Sequence, residues 1–175
     1  RIEKKIYDEA EYQKAYDWVK NHITEGEDYY NPPTCRHDRK QLEKDWEYSI
    51  KMAVIIKDIF RGNPKLAEKG YYEESLGKGA IAGGFQGQRQ WTDYLPNCDF
   101  AESILNSSFD WNGVRAPITL ATENDTLNGL TMLFQTLLTK QASLFADVRT
   151  YWSPAAIERV TGKKLTGKAA NCFIH

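Results

Sequence analysis

Cysteine is scarce in this chain. There are three, Cys35, Cys98 and Cys172, at wide and irregular spacing. An odd count without a Cys-x-x-Cys pair argues against a disulfide framework and against a structural zinc site. Reduced thiols, as in a cytoplasmic protein, are the expectation. Long apolar runs are missing too: no stretch nears the ~20 residues of a membrane span, and no secretory leader is visible. Neither sign of charge dominates, with 23 Lys and Arg against 24 Asp and Glu. That balance argues against a general binder of nucleic acid or of an anionic membrane surface. Several catalytic signatures are absent as well. The glycines at 77, 79, 83, 84 and 87 do not fit G-x-G-x-x-G, and no Gly-Lys-Ser/Thr follows them. His22, His37 and His175 show no ligand spacing, and no G-x-S-x-G marks a nucleophile.

What is present suits one sizeable domain or slightly more: 175 residues, 41% of them hydrophobic. The chain opens without Met in a near-helical pattern and stops just after an apolar run, so a fragment of a longer protein is expected. Asp8 to Ile23 reads as a helix with a stripe of Ala15, Tyr16, Val19 and Ile23, capped by Asp8 with Glu11 as the capping-box partner. Asp38 to Phe60 is the strongest helix, with Leu42, Trp46, Ile50, Ala53 and Val54 on one stripe. Lys57 interrupts that stripe, and Gly62 with Pro64 stops the helix. A short helix through Leu66 follows.

The glycine density between 77 and 87 requires tight turns or close approach by something else. Asp99 to Leu105 reads as a short helix capped by Asp99. Ser107 to Gly113 reads as a loop ending in an Asn-Gly turn. Strand Ala116–Thr122, helix Asp125–Leu138 and a strand-like run Ser143–Val148 come next. Leu127, Leu130, Leu133, Phe134, Leu137 and Leu138 give the helix a broad apolar face. Ser153-Pro154 opens a last helix, ended by Gly162.

The strand–helix–strand order carries the chemical argument. If both strands share a sheet, the crossover makes them parallel, and both end at one edge. Glu123 closes the first and Asp147 the second, at the edge where open α/β sheets bind ligands. Two adjacent carboxylates repel unless one holds a proton or a hard divalent cation takes both. Oxygen ligands without imidazole favour Mg or Mn. The competing reading gives Asn124 or Asp125 a helix-cap task and leaves Glu123 and Asp147 as surface charges.

Three stretches, GFQGQRQWTDYLPN, SSFDWNG with ATENDTLNG soon after, and FADVRTYWSP, resemble the L-fucose isomerase family. The resemblance runs over essentially the whole chain. It implies an α/β fold: a Rossmann-like central domain, helices around a mostly parallel sheet, over residues 1–140, and the start of a C-terminal domain over 141–175. It implies a manganese-dependent aldose–ketose isomerase acting on L-fucose and D-arabinose through an enediolate, cytoplasmic and hexameric. It makes Glu123 and Asp147 metal ligands and the acid/base pair, and Gln86 a substrate contact. The family's third ligand, a histidine, lies beyond His175, so the chain alone is expected to be inactive. The Glu123–Asp147 pair would then meet across a domain junction and not along one sheet. The other readings are a related pentose or hexose isomerase, a glycoside hydrolase working with two acids and no metal, and a purely structural or binding domain.

Overall fold

The computed structural model describes residues 1–26, 33–85, 95–145, 152–167 and 170. The chain divides into two compact units, Arg1–Leu144 and Phe145–His175. The α/β class expected from the sequence holds: helices surround a small parallel sheet.

Aspartate caps set the two long helices, Asp8 as the sequence suggested and Asp38 in addition. Asp8 accepts from the Ala10 amide at 3.0 Å and starts α1, Glu9–His22. Asp38 accepts from the Gln41 amide at 2.8 Å and starts α2, Arg39–Arg61. Each aspartate satisfies an amide that the first helical turn leaves without a partner. Gly62, at φ 78°, ends α2 in a conformation that favours glycine. Helix α3, Pro64–Glu68, buries Leu66 fully; α4, Tyr72–Leu76, was not foreseen.

The core forms where α2 meets α5, Asp99–Asn106. Ile50, Ala53 and Val54 of α2 pack with Ala101, Ile104 and Leu105 of α5. Each fully buried Ile or Leu contributes about 1.5–3 kcal/mol of burial. Helix α5 differs from expectation at its start. Cys98 is its N-cap residue, without a side-chain cap bond, and Asp99 is the first helical residue. The Asp99 amide instead donates to Asn97 Oδ1, 3.2 Å away.

Ser107–Gly113 is more ordered than a loop. Strands β2, Phe109–Asp110, and β3, Gly113–Val114, pair antiparallel around Trp111-Asn112. Arg115 then fastens the hairpin to α5. Its guanidinium donates to Asp110 Oδ2 (2.7 Å), and to the carbonyls of Ile104 (2.7 Å), Leu105 (3.1 Å), Ser107 (3.1 Å) and Ala116 (3.0 Å). Two of those carbonyls belong to the last turn of α5, which has no intrahelical donors for them.

Lys57, the residue that interrupts the apolar stripe of α2, is half-buried and useful. It forms an ion pair with Glu11, lies 3.6 Å from the fully buried Asp110 carboxylate, and sits over the Trp111 ring. Glu11 therefore is not a capping-box partner. Its carboxylate accepts from Lys57, the Trp111 indole N–H (3.0 Å) and Asn112 (3.0 Å), tying α1 to α2 and the hairpin.

The parallel sheet joins β1, Ala82–Gly84, to β4, Thr119–Ala121, with Ala82 opposite Thr119 and Gly84 opposite Ala121. The partner of β4 is thus a strand from the glycine-rich stretch. Ser143–Phe145, the start of the strand expected there, has no regular structure, and 146–148 lie outside the described residues. Helix α6, Thr126–Thr139, buries Gly129, Met132 and Leu133, while Leu127, Leu130, Phe134, Leu137 and Leu138 are exposed. The expected apolar face is present in sequence but mostly uncovered. In the second unit, Ser153 caps α7, Pro154–Thr161, by accepting from the Ala156 amide at 3.2 Å, and Gly162 ends it at φ 69°. Among the described residues, no helix is long and apolar enough to cross a membrane.

Candidate active site

The carboxyl end of β4 leads at once into a three-residue 3₁₀ turn, Thr122–Asn124, and then into α6. Glu123 and Asn124 both take left-handed backbone conformations, at φ 55° and 57°. Asparagine tolerates that region; glutamate seldom occupies it, at a cost of about 1–2 kcal/mol. Such strain persists only where surrounding structure imposes it, and it concentrates at functional sites. Glu123 is exposed, and among the described residues no lysine or arginine pairs with it. Asp125 holds the other side of the turn as the N-cap of α6, accepting from the Asn128 amide at 3.1 Å. Of the two residues offered the cap, Asn124 and Asp125, it is therefore Asp125 that takes it.

The glycines of β1 make room for the turn. A Cβ on Gly84 would lie 2.5 Å from the Ala121 carbonyl oxygen and 2.9 Å from Asn124 Cα. One on Gly83 would lie 2.8 Å from the Phe60 ring. The close approach that the glycine density demanded is made by the protein's own strand, turn and helix. An apolar groove lined by Phe60, Ile81, Pro117, Ile118, Leu133 and Leu137 opens at the amino ends of β1 and β4, the opposite end from Glu123.

Helix α5 supports the turn from another side, through residues that carry no sequence signature. Glu102, buried on α5, accepts from the Thr122 hydroxyl at 2.7 Å and from the Cys98 thiol at 3.3 Å. Asn106, one turn later, donates to the Leu120 carbonyl (2.7 Å) and accepts from the Leu120 amide (2.9 Å). Burial raises the Glu102 pKa, the negative charges of Asp99 and Glu123 add to it, and the two hydrogen bonds oppose it. Burial and the adjacent Glu102 also push the Cys98 thiol up, which keeps it a protonated donor.

Two donor sets could be considered for a metal ion. Among the described residues, Cys98, Asp99 and Glu102 have ligand atoms within 4.8 Å of one another. Their chemistry fits poorly: the thiol is protonated and bonded to Glu102, and Asp99 already accepts from Asn97 at 2.7 Å. Glu123 fits better, as an exposed carboxylate with no ion pair among the described residues, of the type a hard divalent cation takes. Asp147 and Gln86, its expected companions, lie outside the described residues, as does His175.

Residues 1–140 match the family described as "L-fucose isomerase, second N-terminal domain". The chain belongs to the L-fucose isomerase family. It is 56% identical to an L-fucose isomerase of Bacteroides thetaiotaomicron over 177 residues, covering all of this chain and 30% of that protein. It is 55% identical to one from Bacteroides fragilis over 177 residues, with the same coverage. It is 54% identical to one from Streptococcus pneumoniae over 175 residues, again all of the chain and 30% of the relative. The chain therefore spans about a third of the length of the curated relatives it matches.

Proposed function

We propose that the full-length protein is an aldose–ketose isomerase interconverting L-fucose and L-fuculose, and D-arabinose and D-ribulose, with Glu123 and Asp147 as its metal-binding and proton-moving carboxylates. The observation that carries this reading is the strained, exposed Glu123 at the carboxyl end of a parallel strand, in a chain of this family. Open α/β sheets bind ligands at that edge.

The reaction moves one proton from C2 of the aldose to C1 of the ketose, while the O2 hydroxyl proton passes to O1. A manganese ion, when bound, would supply Lewis acidity to the sugar oxygens and favour the enediolate. A carboxylate of the Glu123–Asp147 pair takes the C2 proton and returns a proton at C1. Gln86 offers both a donor and an acceptor to a sugar hydroxyl. In sequence Gln86 follows Gly84 by two positions, as Glu123 follows its register partner Ala121 by two. The same proposal has the full-length chains form a cytoplasmic hexamer.

The test is chelation of the full-length enzyme, followed by assay on L-fucose, D-arabinose and L-arabinose. Isomerisation of the first two should be lost and return with Mn²⁺. Activity that survives exhaustive chelation would overturn the metal-assisted reading, and preference for L-arabinose would redirect it to a pentose isomerase.

A further inference from the structure

Helix α5 carries two polar side chains, Glu102 and Asn106, spaced one turn apart and both bonded to the end of β4. Asn106 takes the amide and the carbonyl of Leu120, at 2.9 and 2.7 Å, and so stands where another strand's backbone would stand. Glu102 takes the hydroxyl of Thr122 at 2.7 Å. The two contacts share a register. Four helical residues rise about 6 Å, and two strand residues about 6.6 Å. Helix and strand run in opposite senses here, so Asn106 meets Leu120 and Glu102 meets Thr122.

The second contact has no need of a carboxylate for packing alone. Glu102 is 4% exposed, and a buried carboxyl is costly unless it is hydrogen-bonded. Both of its oxygens accept, one from Thr122 and the other from Cys98. Thr122 directly precedes Glu123, whose left-handed backbone would relax unless both flanks were held. Asp125 secures the downstream flank as the α6 cap, and Gly84 leaves the space into which Asn124 fits. Upstream, among the described residues, Asn106 holds Leu120 and Glu102 holds Thr122, the residue next to Glu123.

We infer that Glu102 is a positioning residue for the isomerase site: through the Thr122 hydroxyl it fixes the peptide from which Glu123 projects. This rests on the assignment of Glu123 made above. Outer partners of this kind, when removed, weaken metal affinity or activity about 10–100-fold.

The experiment uses the full-length enzyme and four variants: Thr122→Val, Thr122→Ser, Glu102→Ala and Glu123→Gln. Mn²⁺ affinity of the metal-stripped proteins is measured by titration calorimetry, alongside kcat, KM and melting temperature. Thr122→Val keeps the shape and loses the hydroxyl. It should weaken Mn²⁺ binding and lower kcat by about tenfold or more, with KM for L-fucose within about threefold. Thr122→Ser should restore both to within about threefold of the parent. Glu102→Ala should follow Thr122→Val; if it fails to fold, the Val and Ser pair decides. Lowered melting temperatures with parental Mn²⁺ affinity and kcat would show a merely structural contact and overturn the inference. The Glu123→Gln arm separates the two levels. If it is inert while Thr122→Val is normal, only the positioning role falls. If Glu123→Gln itself binds Mn²⁺ and turns over normally, the site assignment falls, and the positioning role with it.

Discussion

Replacing Gly84 with alanine tests whether the β1–β4 pair and the turn after it are packed as described. The backbone of Gly84 is not in the left-handed region, so the constraint is one of space. The added Cβ would lie 2.5 Å from the Ala121 carbonyl oxygen and 2.9 Å from Asn124 Cα, where ordinary contact begins at 3.4 Å. Both obstacles include backbone, which cannot swing aside as a side chain can. Relief therefore requires the strand or the turn to move by nearly 1 Å. Overpacking of this kind costs about 1–3 kcal/mol. The same displacement carries Glu123 with it, and a shift of about 1 Å at a reacting group can cost about 100-fold in rate. Gly129→Ala is the matched control. Among the described residues outside its own helix, its Cβ would meet the Ala121 methyl, at 3.1 Å, and alanine gains about 1 kcal/mol of helix propensity. Urea denaturation of the chain should show Gly84→Ala destabilised by about 2 kcal/mol and Gly129→Ala within about 1 kcal/mol of the parent. In the full-length enzyme, kcat should fall steeply for the first and little for the second. A Gly84→Ala protein with parental stability and turnover would refute the packing of Asn124 against β1.

Asp58, buried beside Asn63, titrates at about 6 in the folded chain, raised by burial and then by the charge of Glu11. Its unfolded value lies near 3.8, so between those pH values the folded state holds a proton that the unfolded state has released. Stability thus falls as pH rises through that window. Above pH 6 the full penalty is present, about 2 kcal/mol after allowance for solvent screening. Asp58→Asn should raise the urea midpoint at pH 8 and give no gain near pH 4; an equal gain at both would contradict this. Arg115→Lys keeps the charge but cannot supply donors to Asp110 and four carbonyls together. It should cost about 2–4 kcal/mol, read by urea denaturation, because buried acceptors lose their partners.

The helices were legible because their signals are local. Asp8 and Ser153 cap the helices that the sequence assigns to them, Asp125 takes the cap left open between it and Asn124, and Gly62 and Gly162 end theirs, while Asp38, read as the first residue of its helix, proves to be its cap. Strand β1 was not legible, since Ala-Gly-Gly has no strand propensity and its partner β4 lies far along the chain. The glycine spacing announced a close approach without revealing that Phe60, Ala121 and Asn124 make it. Glu11 shows why a motif alone misleads. It stands at the capping-box position, but an ion pair with Lys57 and bonds to Trp111 and Asn112 claim its side chain. Glu102 looked like any helical acid, because its burial and its bond to Thr122 depend on where β4 ends. Glu123 was visible as a candidate. Its left-handed backbone became visible only with the turn itself.

The most direct measurement is turnover of L-fucose by full-length Glu123→Gln and Asp147→Asn, each checked for folding by circular dichroism and melting temperature. Both substitutions keep the size of the side chain and remove its charge and basicity. Both variants should fold properly, with kcat falling to background. Near-parental kcat in either variant would contradict the assignment of the carboxylate pair.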